Sequence, residues 1–475
     1  MSRTKIIAGC AILALFALGC KTIATPPMVE MKPLPESYHL SKDTLNIAAT
    51  KWDLFYKDQN LKQLIEISLA NNYDLLAAMQ KIEIARSSLR LNKGAQLPNG
   101  SAGISAAQRK FGLYTMDGAG NATTDIKPGQ IVPEHLPDYL AGFNASWEID
   151  IWGKLRSKKK AAAARYSGSI EGKNAIQTAL IAEVASAYFE LLALDNELDI
   201  IRETIVLQQA ALEVIKIKKE AAVLNELAVK QFEGQLSNSK AFEFEIIQKI
   251  ALTENRLNFL SGQFPQTILR DKTKFNAENT SPISLGIPSQ LLKNRPDIRQ
   301  AELELIASKC DVKSAKAAFY PSFTITGSVG YQAFKTALWF QSPDSFAYTL
   351  LGGLTAPLLN RSAIKAQFNT AKANQTEALL NYQKTILNGY IEVANELSNL
   401  NNLKQLYELK DKEVASYTQS ITIANDLFKS GRASYLEVLM SQRTALESKI
   451  ELITTKKLQH QAAINLYKAL GGGWQ

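Results

Sequence analysis

Three histidines, three cysteines and the acid pair Glu148 and Asp150 are among the residues of this 475-residue chain whose types could carry chemistry. His39, His135 and His460 lie far apart, with none of the short spacings that set two imidazoles on one metal. Glu148 and Asp150 stand two apart in an alternating segment, where they share a face. Paired carboxylates could do acid–base work, but the alternation puts them on the polar side of a strand, so a lumen-facing role is simpler. No glycine-rich phosphate loop occurs, so the chain hydrolyses no nucleotide by itself. Six methionines are scattered without the Met or His clusters that a metal-specific path calls for. These observations predict a protein that is not an enzyme and needs no cofactor or metal.

The elements around these residues repeat. Asp74 to Pro98 is an Ala-rich helical stretch, and Asp297 to Pro321 repeats its frame 223 residues later. Each copy continues with an alternating segment, a turn-rich loop, a second alternating segment and a very long helical stretch. The copies close on Leu260-Ser261-Gly262 and Leu470-Gly471-Gly472, 210 residues apart. The loop between the alternating segments absorbs the difference, at about 28 residues in the first copy and about 13 in the second. The duplication predicts two interleaved halves of one body, 46–270 and 271–475.

The alternating segments have the pattern of membrane strands. Phe323, Ile325, Gly327, Val329 and Tyr331 alternate with Thr324, Thr326, Ser328 and Gly330. Tyr139 to Ile151 and Phe346 to Leu354 do the same, and Ser101 to Ala106 is a weaker case. The hairpins are expected at about 99–150 and 321–357, with strands of roughly 9 to 13 residues, the length a tilted membrane strand needs. Four strands cannot close a barrel alone, and open edges are not tolerated in lipid, so other subunits must supply the rest. Met116 to Pro133 reads as an exposed loop.

After each hairpin, the sparse glycines and missing prolines predict a helix of roughly 60 residues and then one of roughly 40. At 1.5 Å per residue the longer ones reach about 90 Å, which means a coiled coil or helical barrel. In the second copy Gly431 accepts left-handed geometry and Ser434 can cap the next helix. The first copy turns near Ala221 to Glu226 without a glycine, and no counterpart of Gly431 or Glu437 is evident there.

Arg3 and Lys5 precede a 14-residue apolar run, Ile6 to Gly19, too short to span a bilayer but suited to a signal-peptide core over 1–19. Ala17-Leu18-Gly19-Cys20 resembles the lipobox of bacterial lipoproteins, which implies lipidation of Cys20 and an anchor followed by a Pro-rich tether over 20–45. Cys10 leaves with the signal, and Cys310 reads as a packing residue. The formal charge is +9, and the one basic cluster, Lys154, Arg156 and Lys158 to Lys160, has no interleaved aromatics; it reads as a solvated helix face rather than a nucleic-acid site.

Several stretches together resemble the outer membrane factor family, the TolC-like channels, in its lipoprotein branch serving resistance-nodulation-division efflux systems. They include Trp147 to Leu155, Arg295-Pro296-Asp297-Ile298, Ala318 to Ser322, Tyr435 to Leu439 and Leu466 to Trp474. The resemblance implies a homotrimer whose strands form one β-barrel in the outer membrane, in contact with its lipid, continued by a long periplasmic α-helical barrel. It implies a mixed belt around residues 45–60, 265–295 and 400–420, and a passive exit duct opened by a periplasmic adaptor and loaded by an inner-membrane transporter. It also implies a periplasmic gate at the second helical turn, comprising Phe428, Gly431, Arg432 and Glu437, with Met440 where a second acidic residue is usual. Type I secretion and metal efflux remain alternatives within this class. Outside it stands a non-conducting structural envelope lipoprotein.

Overall fold

Helix starts along the chain are fixed by local acceptors. In the computed structural model, which describes residues 33–38, 46–277, 285–357, 359 and 361–475, Leu34–Gln475 forms one compact unit. The signal segment, Cys20 and His39 lie outside the described residues.

The first copy begins with α1 (Trp52–Phe55), α2 (Gln59–Asn71) and α3 (Tyr73–Gly94). Asp58 caps α2 by accepting from the Asn60 and Leu61 amides, and Asn72 caps α3 by accepting from Leu75 N at 3.0 Å. Strand β1 (Asn99–Lys110) follows, then α4 (Met116–Thr123), the short strands β2 (Asp125–Lys127) and β3 (Gln130–Ile131), and β4 (His135–Ile149). The chain continues into α5 (Lys154–Glu220) and α6 (Glu226–Leu260). After α7 (Lys274–Ala277) the order recurs as α8 (Leu291–Asn294), α9 (Pro296–Ala317), β5 (Ser322–Ala333), β6 (Phe346–Thr355), α10 (Arg361–Lys429) and α11 (Tyr435–Ala469).

Two expectations change. The loop at Met116–Pro133 is built rather than irregular: Thr115 accepts from Gly118 N and starts α4, and β2 pairs with β3. The long helices run to 67 and 69 residues, about 100 Å, and the return helices to 35 each. Residues 400–420, expected in the belt, lie inside unbroken α10.

The core sits where the long helices meet the short ones. Tyr188, Leu191 and Leu192 of α5 are fully buried against Leu61 and Ile65 of α2, Leu257 of α6 and Ile464 of α11. Tyr188 also donates to Asp58 at 2.9 Å, tying α5 to the α2 cap. A matching cluster joins Ile298 of α9, Val393 of α10 and Leu466 of α11, and takes in Tyr38, whose ring stacks on Tyr390 at 5.5 Å. The tether's last described residue is therefore docked on the body.

Arg295 explains the start of α9. Its guanidinium donates to Asp297 at 2.7 Å, Glu392 at 2.6 Å and the Ala469 carbonyl at 2.9 Å, joining α9, α10 and the end of α11. The copies end alike: Gly262 and Gly471 have positive φ, and a Cβ at either would lie 2.5 Å from a carbonyl, that of Asn71 or Asn294. That double constraint accounts for the glycines that close both copies.

β1, β4, β5 and β6 form one antiparallel sheet in that order, with β1 and β6 as its open edges.

Candidate channel wall and periplasmic turns

The register sorts the sheet into two faces. Ile104 pairs with Ala141, Phe143 with Val329, and Val329 with Tyr348, which places these residues on one side with Trp147, Ile325, Leu350 and Leu354. The opposite side carries Ser101, Asn144, Ser146, Thr326, Ser328 and Thr349, which are likewise paired across the strands. The apolar side is exposed, with Phe143 at 67% and Leu350 at 77%, so none of the described residues covers it. An apolar band outside and a hydroxyl and amide face inside are what a barrel wall between lipid and a wet lumen requires.

Aromatic residues mark both ends of the band. At the loop end Trp339 lies beside Tyr139 (5.7 Å) and Phe340 (5.0 Å), and Tyr331 beside Phe346 (5.8 Å). At the helix end Trp152 stacks on Tyr320 at 4.8 Å and donates to the Pro321 carbonyl, and Trp147 donates to the Gln96 carbonyl. Tyr139 and Trp147 are separated along β4 by about 26 Å at 3.3 Å per residue, which a strand tilt of about 40° projects to about 20 Å, most of the roughly 25 Å height of an outer-membrane apolar band.

Glu148 and Asp150 part company at this junction. Glu148 lies on the polar face of β4 and pairs with Lys154. Asp150 falls beyond the strand's last residue, Ile149, which corrects its expected place on the strand's lumen-facing side. Its carboxylate accepts from the Leu155 amide at 3.1 Å and the Arg156 amide at 2.7 Å, and pairs with the Arg156 guanidinium. It satisfies the first amides of α5, where Gly153 supplies no side chain to do so.

At the far end of the helices the two turns are equivalent, contrary to the expectation that the first has no counterpart of Gly431. Gly431 N donates to Phe428 O, and Arg432 N and Ala433 N both donate to Leu427 O. In the first copy Ala222 N donates to Lys219 O, and Val223 N and Leu224 N both donate to Lys218 O. Ala222 has φ +58° and Gly431 φ +73°, so an alanine holds the left-handed position that glycine fills in the second copy. Asn225 caps α6 by accepting from Ala228 N, while the Glu437 carboxylate accepts from Ser434 N at 2.5 Å at the start of α11.

Of the four gate candidates, Gly431, Arg432 and Glu437 are exposed at the turn, and Phe428 is half-buried. Phe428 packs into the cluster of Ile215, Ala228, Phe232 and Val438 that joins the two helical pairs. Lys218 of the first turn sits 3.8 Å from the Phe428 ring centroid and 3.5 Å from its carbonyl. Sequence reasoning missed Lys218 and Ala222; the equal spacing of Ala222-Val223-Leu224-Asn225 and Gly431-Arg432-Ala433-Ser434 was the signal that could have found Ala222.

Near the belt, His460 is 3% exposed, stacks on Phe189 at 4.3 Å and holds Phe275 O at 3.0 Å. Burial, with Lys456 nearby, pushes its pKa down to about 4 even though the bond to Phe275 opposes the shift.

A sheet with a lipid-type outer face and a polar inner face, continuous with two paired long helices, defines a subunit of an outer-membrane barrel-and-tunnel channel. The model of the outer membrane efflux protein family matches residues 64–263 and 287–472. The cation efflux system protein CusC of Escherichia coli O6:H1 is 27% identical over the full length of both chains. The probable outer membrane lipoprotein SilC of Salmonella typhimurium is 28% identical, also over both full lengths. A crystal structure of a membrane protein from Pseudomonas aeruginosa superposes with a TM-score of 0.84 at 25% identity, covering 95% of this chain and 99% of that one. The chain belongs to the outer membrane efflux protein family. It is an outer-membrane efflux channel component, a transporter rather than an enzyme, with the fold of the trimeric barrel-and-tunnel channels.

Proposed function

We propose that three copies of this chain join edge to edge, β6 of one to β1 of the next, as the passive exit duct of a tripartite efflux system. The observation that carries this reading is the sheet itself. It has an uncovered apolar face, a polar face and two open edges, and a bilayer tolerates none of these edges unless the barrel closes. Cys20 carries the lipid anchor, and Tyr38 docks the tether that leads from it. The second helical turn, with Phe428, Gly431, Arg432 and Glu437, closes the periplasmic end until an adaptor opens it. An inner-membrane transporter loads the duct. Ser, Thr and Asn line the barrel's inner face, which suits passage of small solutes without selecting among them, so choice of substrate falls to the transporter.

The test is purification of the tagged full chain from cross-linked cells fed a radiolabelled fatty acid. An adaptor and an inner-membrane transporter should co-purify, and the label should disappear in Cys20→Ser. Recovery of the chain without either partner contradicts the tripartite reading, and label retained in Cys20→Ser removes the anchor from Cys20.

A further inference from the structure

The chain's positive charge is concentrated at one level. The barrel-proximal twelve residues of α5 hold six cations, Lys154, Arg156, Lys158, Lys159, Lys160 and Arg165, and no carboxylate. The corresponding twelve of α10 hold three cations and none, and those of α3 and α9 three and one each. These four segments thus carry fifteen Lys and Arg against two acids, whereas the rest of the chain carries 39 against 43.

The four segments lie side by side below the sheet. Ser314 near the end of α9 donates to the Lys154 carbonyl at the start of α5, and Arg165 pairs with Glu304 and Asp311 of α9. Arg86 of α3 lies over the Tyr166 ring of α5. Each helix is only a few residues from its strand, at the level of the Trp152–Tyr320 stack.

Local pairing uses at least four of these fifteen charges: Lys154 serves Glu148, Arg156 serves Asp150, Arg165 serves Glu304 and Asp311, and Arg86 serves Glu83. Lys158, Lys160, Lys313, Lys316, Arg361 and Lys365 are exposed. The helix macrodipole favours Lys93 and Lys316 in the last turns of α3 and α9, but not the cations of α5 and α10, which lie in the first turns where it favours acids. An aromatic rank directly beside a basic one matches the order of acyl boundary and headgroup in a leaflet.

We propose that these helix ends form a basic collar that binds the phosphate headgroups of anionic phospholipid in the periplasmic leaflet of the outer membrane. The inference rests on insertion of the barrel in that membrane, not on any partner or substrate. The cluster that reads in sequence as a solvated helix face is solvated by lipid headgroups on one side. Near an anionic surface each engaged cation favours a charged headgroup over a neutral one by about fivefold, and three subunits multiply the number of such contacts.

The full-length trimer, purified in neutral detergent, is melted with phosphatidylglycerol, with phosphatidylcholine, or with inorganic phosphate at equal concentration. The collar predicts a rise in Tm with phosphatidylglycerol alone, abolished by high salt. The combined variant Lys158→Gln, Lys159→Gln, Lys160→Gln, Lys365→Gln should lose about half or more of that rise while melting normally in phosphatidylcholine. The matching Arg variants should keep it. An equal rise in the Gln variant, or with phosphatidylcholine, overturns the proposal. An equal rise with inorganic phosphate overturns the assignment to lipid, and gel filtration of each sample reports separately whether the trimer itself has failed.

Discussion

Glu437 holds two roles in one carboxylate. It accepts from Ser434 N at the start of α11 and stands exposed beside the turn; in the proposed trimer three such groups stand around one axis. With Met440 three residues further on, the proposed gate holds a single acidic ring, a modest cation site. Glu437→Gln keeps an acceptor for the Ser434 amide but removes the charge, so the helix should persist. The concentration of a multivalent cation needed to block current from the periplasmic side should rise about fivefold; unchanged block takes Glu437 out of the constriction. His460 acts on stability instead. Its pKa of about 4 lies below the ordinary 6.5, so the folded state favours the neutral ring. Its contribution is whole above pH 6.5 and is lost as pH falls toward 4, a cost of about 3 kcal/mol. Denaturant titrations across that window should show the loss, and His460→Leu should flatten it; equal acid sensitivity in the variant contradicts the assignment.

At the scale of elements, the two helical turns share their hydrogen bonds and differ in the residue at the left-handed position. A Cβ there costs an L-residue about 1 kcal/mol. Ala222→Gly should therefore stabilise the first turn by about 1 kcal/mol, and Gly431→Ala should weaken the second by a similar amount. A Cβ at Gly431 would meet open space, so only the backbone term is involved. Trimer melting in detergent reads both, and a fall in Tm for Ala222→Gly contradicts the equivalence. The first turn was placed near Ala221 to Glu226 from the sequence, but its left-handed residue was hidden because alanine is a strong helix former and gives no sign of positive φ. The sequence showed β1 only in part, at Ser101 to Ala106: Asn99–Lys110 is mostly Gly, Ser and Ala, so its alternation is weak over the rest of its twelve residues. The helices and the other three strands were legible, because long runs without proline and period-two patterns are local properties. Asp150 was misplaced by the same rule that found its strand, since alternation continues past the residue where pairing stops.

At the scale of the molecule, the duplication places two strand hairpins in one sheet and two helical pairs beneath it, so each chain is a segment of wall rather than a closed body. Fold class and the outer-membrane setting could be read from the sequence through the repeat and the two faces of the strands. The site was legible only in part. Phe428 was found as an aromatic at the turn, but its packing against Lys218 depends on contacts between residues 210 apart, which no local pattern records. The central claim is that these segments close into a conducting duct, and single-channel recording of the purified protein in planar bilayers tests it most directly. The account predicts discrete, ohmic conductance steps from a heat-modifiable trimer, whereas monomers that give no steps at any concentration would contradict it.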